Sequence, residues 1–263
     1  MPFPESARVI YERNPLEEVI CQLTFPPILR IDSEAPVPFQ EDMRGEYPLY
    51  QDSSGLMSPQ GLPADIAKLI GAEFPILGPN KIYQFISADK VWTLGLTREF
   101  LSLSTSKYEH WEDFKTRLQS ALSVLVRRYS PTFFVRVGLR YRDVIRRSVL
   151  ELTDIPWTEL LHPHMLGELA SAEVGRDILH AAREVIISLP GEGTKVRVRH
   201  GLGRTAGNGE VCYVIDSDFF KDERTEVNDV FDVLNSFNRQ AGRLFRWYIT
   251  DRLHEAMQPR IVH

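Results

Sequence analysis

One order of predicted elements occurs twice in this chain and limits the folds open to it. Three short apolar runs followed by an amphipathic helix are found near residues 81–129 and again near 178–257. Short gaps between the first three runs suit hairpin turns, which predicts an antiparallel meander. The two units share little side-chain identity, so the repeat is one of element order. The predicted strands are 81–87, 91–97 and 100–105 in the first unit, and 178–189, 195–202 and 210–216 in the second.

Both helices are predicted from apolar side chains spaced three and four residues apart. The first is expected to begin with a capping box, Ser-Lys-Tyr-Glu at 106–109, and to end before Pro131. The second is expected to be a long C-terminal helix over about 228–257. Leu118, Leu122 and Phe245 are predicted core residues of the two helices.

Strands followed by helices, without regular βαβ alternation, predict an α+β fold of antiparallel sheets backed by amphipathic helices. A further strand is expected at 18–25, and short helices at 39–46 and 63–70. The proline-punctuated connector at 150–176 suggests two halves, 1–150 and 151–263, although one compact domain is equally open. The repeated order raises the hypothesis of an internal duplication.

Positive charge is concentrated in two short segments of an acidic chain. The 263 residues carry a net charge of −5, yet residues 131–150 hold five Arg and one Asp, and residues 195–204 hold one Lys and three Arg without an acid. Each segment therefore has a net charge of +4, and the rest of the chain has a net charge of −13. Such a chain has either a polarised surface or arginines paired with its own carboxylates.

The two basic segments are predicted strands with their cations two residues apart, so each set shares one face. Guanidinium groups bind phosphate and carboxylate bidentately, which predicts an anion-binding surface for a nucleotide or an acidic protein. Nucleic acid is less expected because the sequence pI is about 5.8. The alternative is a structural face of cross-strand ion pairs, with acids at positions 17, 18, 99, 184, 210 and 216. The candidate binding residues are Arg136, Arg140, Arg142, Lys195, Arg197, Arg199 and Arg204.

Other motifs give weaker signals. The glycine-rich segment 201–209 lacks a Gly-Lys-Ser/Thr ending and favours a hairpin loop, and His162 and His164 lack further ligands tied to them by spacing. Asp216 and Asp218 resemble paired Mg²⁺ ligands, but they also suit a turn at a strand end. No cofactor or metal site is therefore predicted, and no motif supports catalysis. The competing hypothesis is a metal-dependent enzyme acting on a phosphorylated substrate, with Asp216 and Asp218 beside the arginines.

Location and assembly are predicted from the remaining features. The sequence has no apolar stretch of about 18 residues and no secretory leader at its start, and Cys21 and Cys212 lie in predicted strands, so we expect a cytoplasmic protein without a membrane contact. Trp247 and Ile249 lie off the main apolar stripe of the last helix. This predicts a homo-oligomer formed through that helix.

The order of segments resembles a family of sporadically distributed bacterial proteins of about 260 residues with no assigned activity. The similarity lies in Asn-Pro-Leu-Glu-Glu-Val at 14–19, Tyr108 to Phe114, Val-Gly-Leu-Arg-Tyr at 137–141 and the helix around 245–257. The resemblance carries over no catalytic residue, and it implies a mobile gene such as one of phage defence or a toxin-antitoxin pair. We therefore expect a non-catalytic binding protein that recruits an anionic partner through its arginine strands.

Overall fold

A nine-stranded antiparallel sheet organises the chain in the computed structural model, which describes residues 2–54, 81–205 and 209–262. The strands run across the sheet in the order β3-β4-β5-β6-β2-β7-β10-β9-β8, and β1 and β11 form a separate two-stranded sheet. The strands are β1 Val9–Tyr11, β2 Leu16–Thr24, β3 Leu49–Ser54, β4 Lys81–Ile86, β5 Trp92–Leu96, β6 Phe100–Thr105, β7 Arg136–Arg146, β8 Ala181–Ser188, β9 Thr194–Arg204, β10 Val211–Lys221 and β11 Pro259–Ile261.

The helices of the described residues differ greatly in length. Two of them have 19 residues, and the others are short. They are α1 Arg30–Ser33, α2 Val37–Met43, α3 Trp111–Tyr129, α4 Trp157–Leu160, α5 Pro163–Leu166, α6 Val230–Tyr248 and α7 Asp251–Ala256, with 3-10 turns at Gly167–Ala170 and Val227–Asp229. This composition confirms the predicted α+β class, and among the described residues no helix is long and apolar enough to cross a membrane.

The sheet contains the predicted repeat and extends it by one strand. In chain order, β2 precedes the meander β4-β5-β6 and helix α3, and β7 precedes the meander β8-β9-β10 and helix α6. From the centre of the sheet outward the strands are β2, β6, β5, β4 on one side and β7, β10, β9, β8 on the other, and β3 is added outside β4. The two units are thus related by an approximate two-fold axis between β2 and β7, and both contribute to one sheet.

Helices α3 and α6 pack on the same face of this sheet. The Phe114 ring of α3 lies 5.7 Å from Trp92 on β5, and the Phe237 ring of α6 lies 6.1 Å from Phe219 on β10. Leu118 and Leu122 are buried as predicted, whereas Phe245 is only partly buried. Burial of this apolar face drives the association of the sheet with its helices.

The predicted capping box does not form. Helix α3 begins at Trp111, and its N-cap residue His110 makes no side-chain capping bond. Ser106 instead follows β6 closely, and its backbone N–H donates to the Val91 carbonyl. The end of the helix agrees with the prediction, because Ser130 adopts a left-handed conformation with φ of 51° just before Pro131.

The predicted long C-terminal helix is confirmed as α6, but it is shorter than expected and a second helix, α7, follows it. Helix α6 ends at Tyr248, Ile249 is extended, and α7 starts at Asp251 with the Thr250 hydroxyl accepting a hydrogen bond from the Leu253 backbone N–H. A β-branched residue followed by a good N-cap residue suits such a break. The apolar periodicity continues across the break and conceals it.

The residues at this break are hydrogen-bonded to the connector 150–176, which joins β7 to β8. Ile249 forms an isolated antiparallel bridge with Leu161, just after α4. The His162 N–H donates to the Tyr248 carbonyl at 3.0 Å, and the Thr250 N–H donates to the Leu160 carbonyl at 3.0 Å. The connector is therefore hydrogen-bonded to the C-terminal helices.

The prediction of oligomerisation through the last helix depends on Trp247 and Ile249. In the structure Ile249 is fully buried, and Trp247 stacks on His164 with ring centroids 4.1 Å apart. Trp247 also contacts Phe3 at 5.6 Å. Both side chains are thus packed within the same chain. They give no support to an interface at this helix, and oligomerisation through it stays a prediction.

Three further predictions concern loops and strand ends. Strand β10 continues to Lys221 and does not end at Asp216, so the expected turn there is wrong. Gly201 and Gly203 lie inside β9, so the predicted glycine-rich loop does not begin at 201, and its residues 206–208 lie outside the described ranges. A Cβ on Gly201 would lie 1.8 Å from the Ala181 carbonyl oxygen, so the close approach of β8 requires glycine. The helix expected at 63–70 lies outside the described residues.

Candidate functional site

The two arginine-bearing strands are brought to the same surface because β10 lies between them. Strand β10 pairs with β7 on one side and with β9 on the other. Side chains alternate along each strand, so every second residue points away from α3 and α6. We call this surface the charged face. Its charged members are Glu18 on β2, Arg136, Arg140, Arg142 and Arg146 on β7, Asp216 and Asp218 on β10, Lys195, Arg197 and Arg199 on β9, and Glu184 on β8.

Acidic and basic strands alternate across this face. Asp216 of β10 lies opposite Arg142 of β7 and opposite Arg199 of β9. Asp218 likewise lies opposite one arginine on each neighbouring strand. Beyond them, β2 and β8 supply acids at the two flanks. Each arginine of the face therefore has a carboxylate on an adjoining strand, as cross-strand pairing favours, and Lys195 pairs with Asp222 just after β10.

The pair at the centre of the face has the best geometry. Arg140 donates from Nε to Asp216 Oδ1 at 2.5 Å and from Nη2 to Asp216 Oδ2 at 2.8 Å. The two side chains are 10% and 4% exposed. Burial acts to lower the pKa of the Arg140 guanidinium, but the attraction of Asp216 outweighs it and the pKa is raised. A buried bidentate pair of this kind holds both charges in fixed positions.

The other arginines are paired in a similar way. Arg142 lies 3.1 Å from Glu18 and 3.7 Å from Glu17. Arg136 donates to Asp218 at 2.8 Å, and burial raises the pKa of that carboxyl while Arg136 and Arg140 oppose the rise. Further pairs are Arg146 with Glu17, Arg199 with Glu184 and Lys195 with Asp222. These contacts are the ones expected of the ion-pair alternative.

Three of the predicted cations lie around one aromatic ring, Phe220, at the C-terminal end of β10 on the charged face. The charged groups of Arg136, Lys195 and Arg197 lie 5.1, 5.8 and 5.8 Å from the centroid of Phe220. We call these four residues the Phe220 cluster. The Lys195 and Arg136 side chains are 39% and 24% exposed, well above the 10% of Arg140. The cluster is thus a more accessible cationic part of the charged face than its centre.

Arg204 lies apart from the other six predicted binding residues. It pairs in register with Val211 at the far end of β9, on the side of the strand that carries the helix-facing residues. Its guanidinium donates to the Gly209 carbonyl at 3.0 Å across the β9-β10 hairpin. The structure therefore gives Arg204 a local contact in the loop and excludes it from the charged face.

The residues of the enzyme hypothesis do share one surface. Asp216 and Asp218 are two residues apart on the charged face, in register with Arg199 and Arg197. Both carboxylates accept hydrogen bonds from arginines of β7. In the described ranges no group of three or more His, Cys, Asp or Glu side chains is placed to hold a metal ion. The arrangement accounts for the two aspartates as partners of arginines.

Asp143 is a buried acid on the other face of the sheet. It lies on β7 opposite Ile215 and is 8% exposed. Burial, with a smaller effect from the charge of Asp216, raises the pKa of its carboxyl to about 8. The described residues offer it neither a hydrogen bond nor an ion pair, so a proton neutralises it at neutral pH.

Phe220 and Arg146 are not among the predicted binding residues, although both continue the period-two pattern of their strands. Asp218 and Phe220 extend the alternation beyond the predicted end of β10, which was the available signal. Arg146 continues the series after Arg142, but the sequence predicts that the first basic strand covers 133–145 and ends one residue before it. No protein-family model and no curated protein matches this chain.

Proposed function

We propose that the protein is a non-catalytic binding protein that recruits an anionic partner through the Phe220 cluster of the charged face. The observation that carries the proposal is the convergence of three cations within 6 Å of one ring. Carboxylate and phosphate groups are the anions that such a site would take. The resemblance described above adds a bacterial cytoplasmic setting, in phage defence or a toxin-antitoxin pair.

The distribution of burial favours this cluster over the rest of the face. Arg140 and Arg142 are 10% and 7% exposed and hold their own acids, so recruiting a partner there would break existing pairs. Lys195 has a more exposed partner, Asp222, at 46%. Exposed pairs contribute little energy and exchange partners readily. A new anion therefore competes most easily at this end of the face.

The aromatic ring adds a second kind of contact. A guanidinium group that lies over an aromatic ring is attracted to the ring face, and its planar fork keeps N–H donors directed outward. Arg136 is further oriented by lying over Gly138, where a Cβ would be 2.3 Å from its Nη1 atom. Such pre-positioned cations lose less side-chain entropy when an anion binds.

The proposal is tested by reversing the charge of the accessible cations. We expect Lys195→Glu with Arg197→Glu to bind an anionic probe at least tenfold more weakly than the wild type. Three probes distinguish the source of the anion: ATP, a poly-glutamate peptide and heparin. Wild-type binding should weaken as salt rises, because exposed charges are screened over about 8 Å at physiological ionic strength.

Arg224 provides a matched control. Its guanidinium lies 4.4 Å from the Phe133 ring and pairs with Glu226, but it lies outside the charged face. Arg224→Glu changes the charge of an exposed stacked arginine and should leave probe binding unchanged. Circular dichroism must show that each variant is folded. Absence of binding of all three probes by the wild type, or equal binding by the double variant, overturns the proposal.

A further inference from the structure

Strand β8 forms one edge of the sheet and is exposed along most of its length. In the described part of the chain it pairs with β9 alone. Val185 points to the helix side of the sheet and is 42% exposed, while Ile186 points to the opposite side and is 54% exposed. Both faces of the strand therefore present apolar side chains at its middle.

Natural edge strands usually carry devices that prevent pairing with another chain. These include prolines, bulges and inward-pointing charges. The middle of β8, Val-Ile-Ile at 185–187, has none of them. Its two charged residues are engaged within the chain, since Arg183 pairs with Glu168 and Glu184 pairs with Arg199. Among the residues that the structure describes, no strand pairs with the outer edge of β8, so its backbone donors and acceptors can take a further strand.

Two copies of β8 can pair antiparallel with compatible side chains opposite each other. A two-fold axis perpendicular to the sheet keeps each residue on its own face, so residues directly opposite each other must belong to the same face. The axis therefore lies midway between one residue and the same residue of the second copy. An axis at Arg183 or Glu184 would place like charges opposite each other, which is unfavourable. An axis at Ile186 places Ile186 opposite the same residue of the second copy. Val185 then lies opposite Ile187, and Glu184 lies opposite Ser188.

We propose that β8 is the interface of a two-fold dimer in which two copies of this chain pair through β8 with Ile186 at the axis. A second copy is favoured over a foreign strand because this register leaves no like charges opposed and meets apolar residues with apolar residues. A two-fold interface also closes after two copies, whereas pairing of β8 with β3 of a neighbour would continue into a filament. The charged faces of both copies would lie on the same side of one continuous sheet.

The proposal is tested with an engineered cysteine at the axis. The native Cys21 and Cys212 are buried, so they do not interfere. Under mild oxidation Ile186→Cys should form a disulfide-linked dimer at least tenfold faster than Ser188→Cys, which has the same strand and face but lies off the axis. Equal cross-linking rates for the two variants overturn the register.

Oligomeric state gives the second measurement. Light scattering during size exclusion should show a dimer for the wild type at about 100 μM. We expect a monomer for Ile186→Lys, because two ammonium groups would meet at the axis. Leu179→Lys is the control, since Leu179 is 78% exposed and lies outside β8. It should remain a dimer. A monomeric wild type, or a dimer that survives Ile186→Lys, overturns the proposal.

Discussion

Replacing Arg140 with Met tests the central ion pair of the charged face. The change removes both hydrogen bonds to Asp216 and keeps much of the side-chain volume. The two side chains are 10% and 4% exposed, so solvent does not replace the lost partner. Breaking a buried pair from one side costs about 3 to 5 kcal/mol. Asp216 still lies opposite Arg142 and Arg199, and we therefore expect the lower end, about 3 kcal/mol.

Removing both partners should cost less than removing one. In Arg140→Met with Asp216→Leu no carboxylate is left without its partner, and the arginines opposite Asp216 keep Glu18 and Glu184. The double variant should recover about 2 kcal/mol of the loss, because the penalty of the single variant comes mainly from an isolated buried charge. Urea unfolding of the wild type, both single variants and the double variant measures this coupling.

A pair exposed to solvent supplies the comparison. Arg252 and Glu159 are 47% and 51% exposed, and Arg252→Met should cost no more than about 1 kcal/mol. Equal losses for Arg140→Met and Arg252→Met would show that the central pair is not desolvated. The argument from burial would then be refuted, and the charged face would be a solvated surface throughout.

Two other predictions concern the opposite face of the sheet. The pKa of Asp143 is raised to about 8, so its contribution to stability is fully present below about pH 4 and is lost as pH rises through 8. Urea unfolding should show the wild type losing up to about 1.4 kcal/mol per pH unit relative to Asp143→Asn between pH 5 and 8, and a constant difference would contradict this. Leu118→Ala and Leu122→Ala should each lower the free energy of unfolding by about 2 to 5 kcal/mol; losses below about 1 kcal/mol for both would mean that α3 does not bury these residues.

The strands of the meanders could be predicted because their periodicity is local. Runs with short turns between them identified β4, β5 and β6, and the arginine spacing placed Arg136, Arg140 and Arg142 on one face. Pairing between distant strands has no comparable local signal. The position of β10 between the two basic strands decides whether their cations meet acids, and it depends on the whole topology.

Two helix boundaries, the start of α3 and the end of α6, were predicted wrongly because the local pattern there is misleading. Ser-Lys-Tyr-Glu at 106–109 has the local pattern of a capping box, but the chain there still follows β6 and its backbone is used by Val91. At Ile249 the local apolar pattern continues, and a bridge to Leu161 ends the helix. In both places a tertiary hydrogen bond overrides the preference of the local sequence.

The bridge between Leu161 and Ile249 has a mechanical consequence. The connector 150–176 joins β7 to β8 within the second unit, and an irregular segment of this length would ordinarily be mobile. Here its middle is bonded to the end of α6 and the start of α7, and the Thr250 hydroxyl also donates to the Glu159 carbonyl at 2.7 Å. Moving the connector away from the C-terminal helices would break these bonds. The connector and the ends of α6 and α7 should therefore move together, and hydrogen exchange at His162 and Thr250 should be lost in a single step.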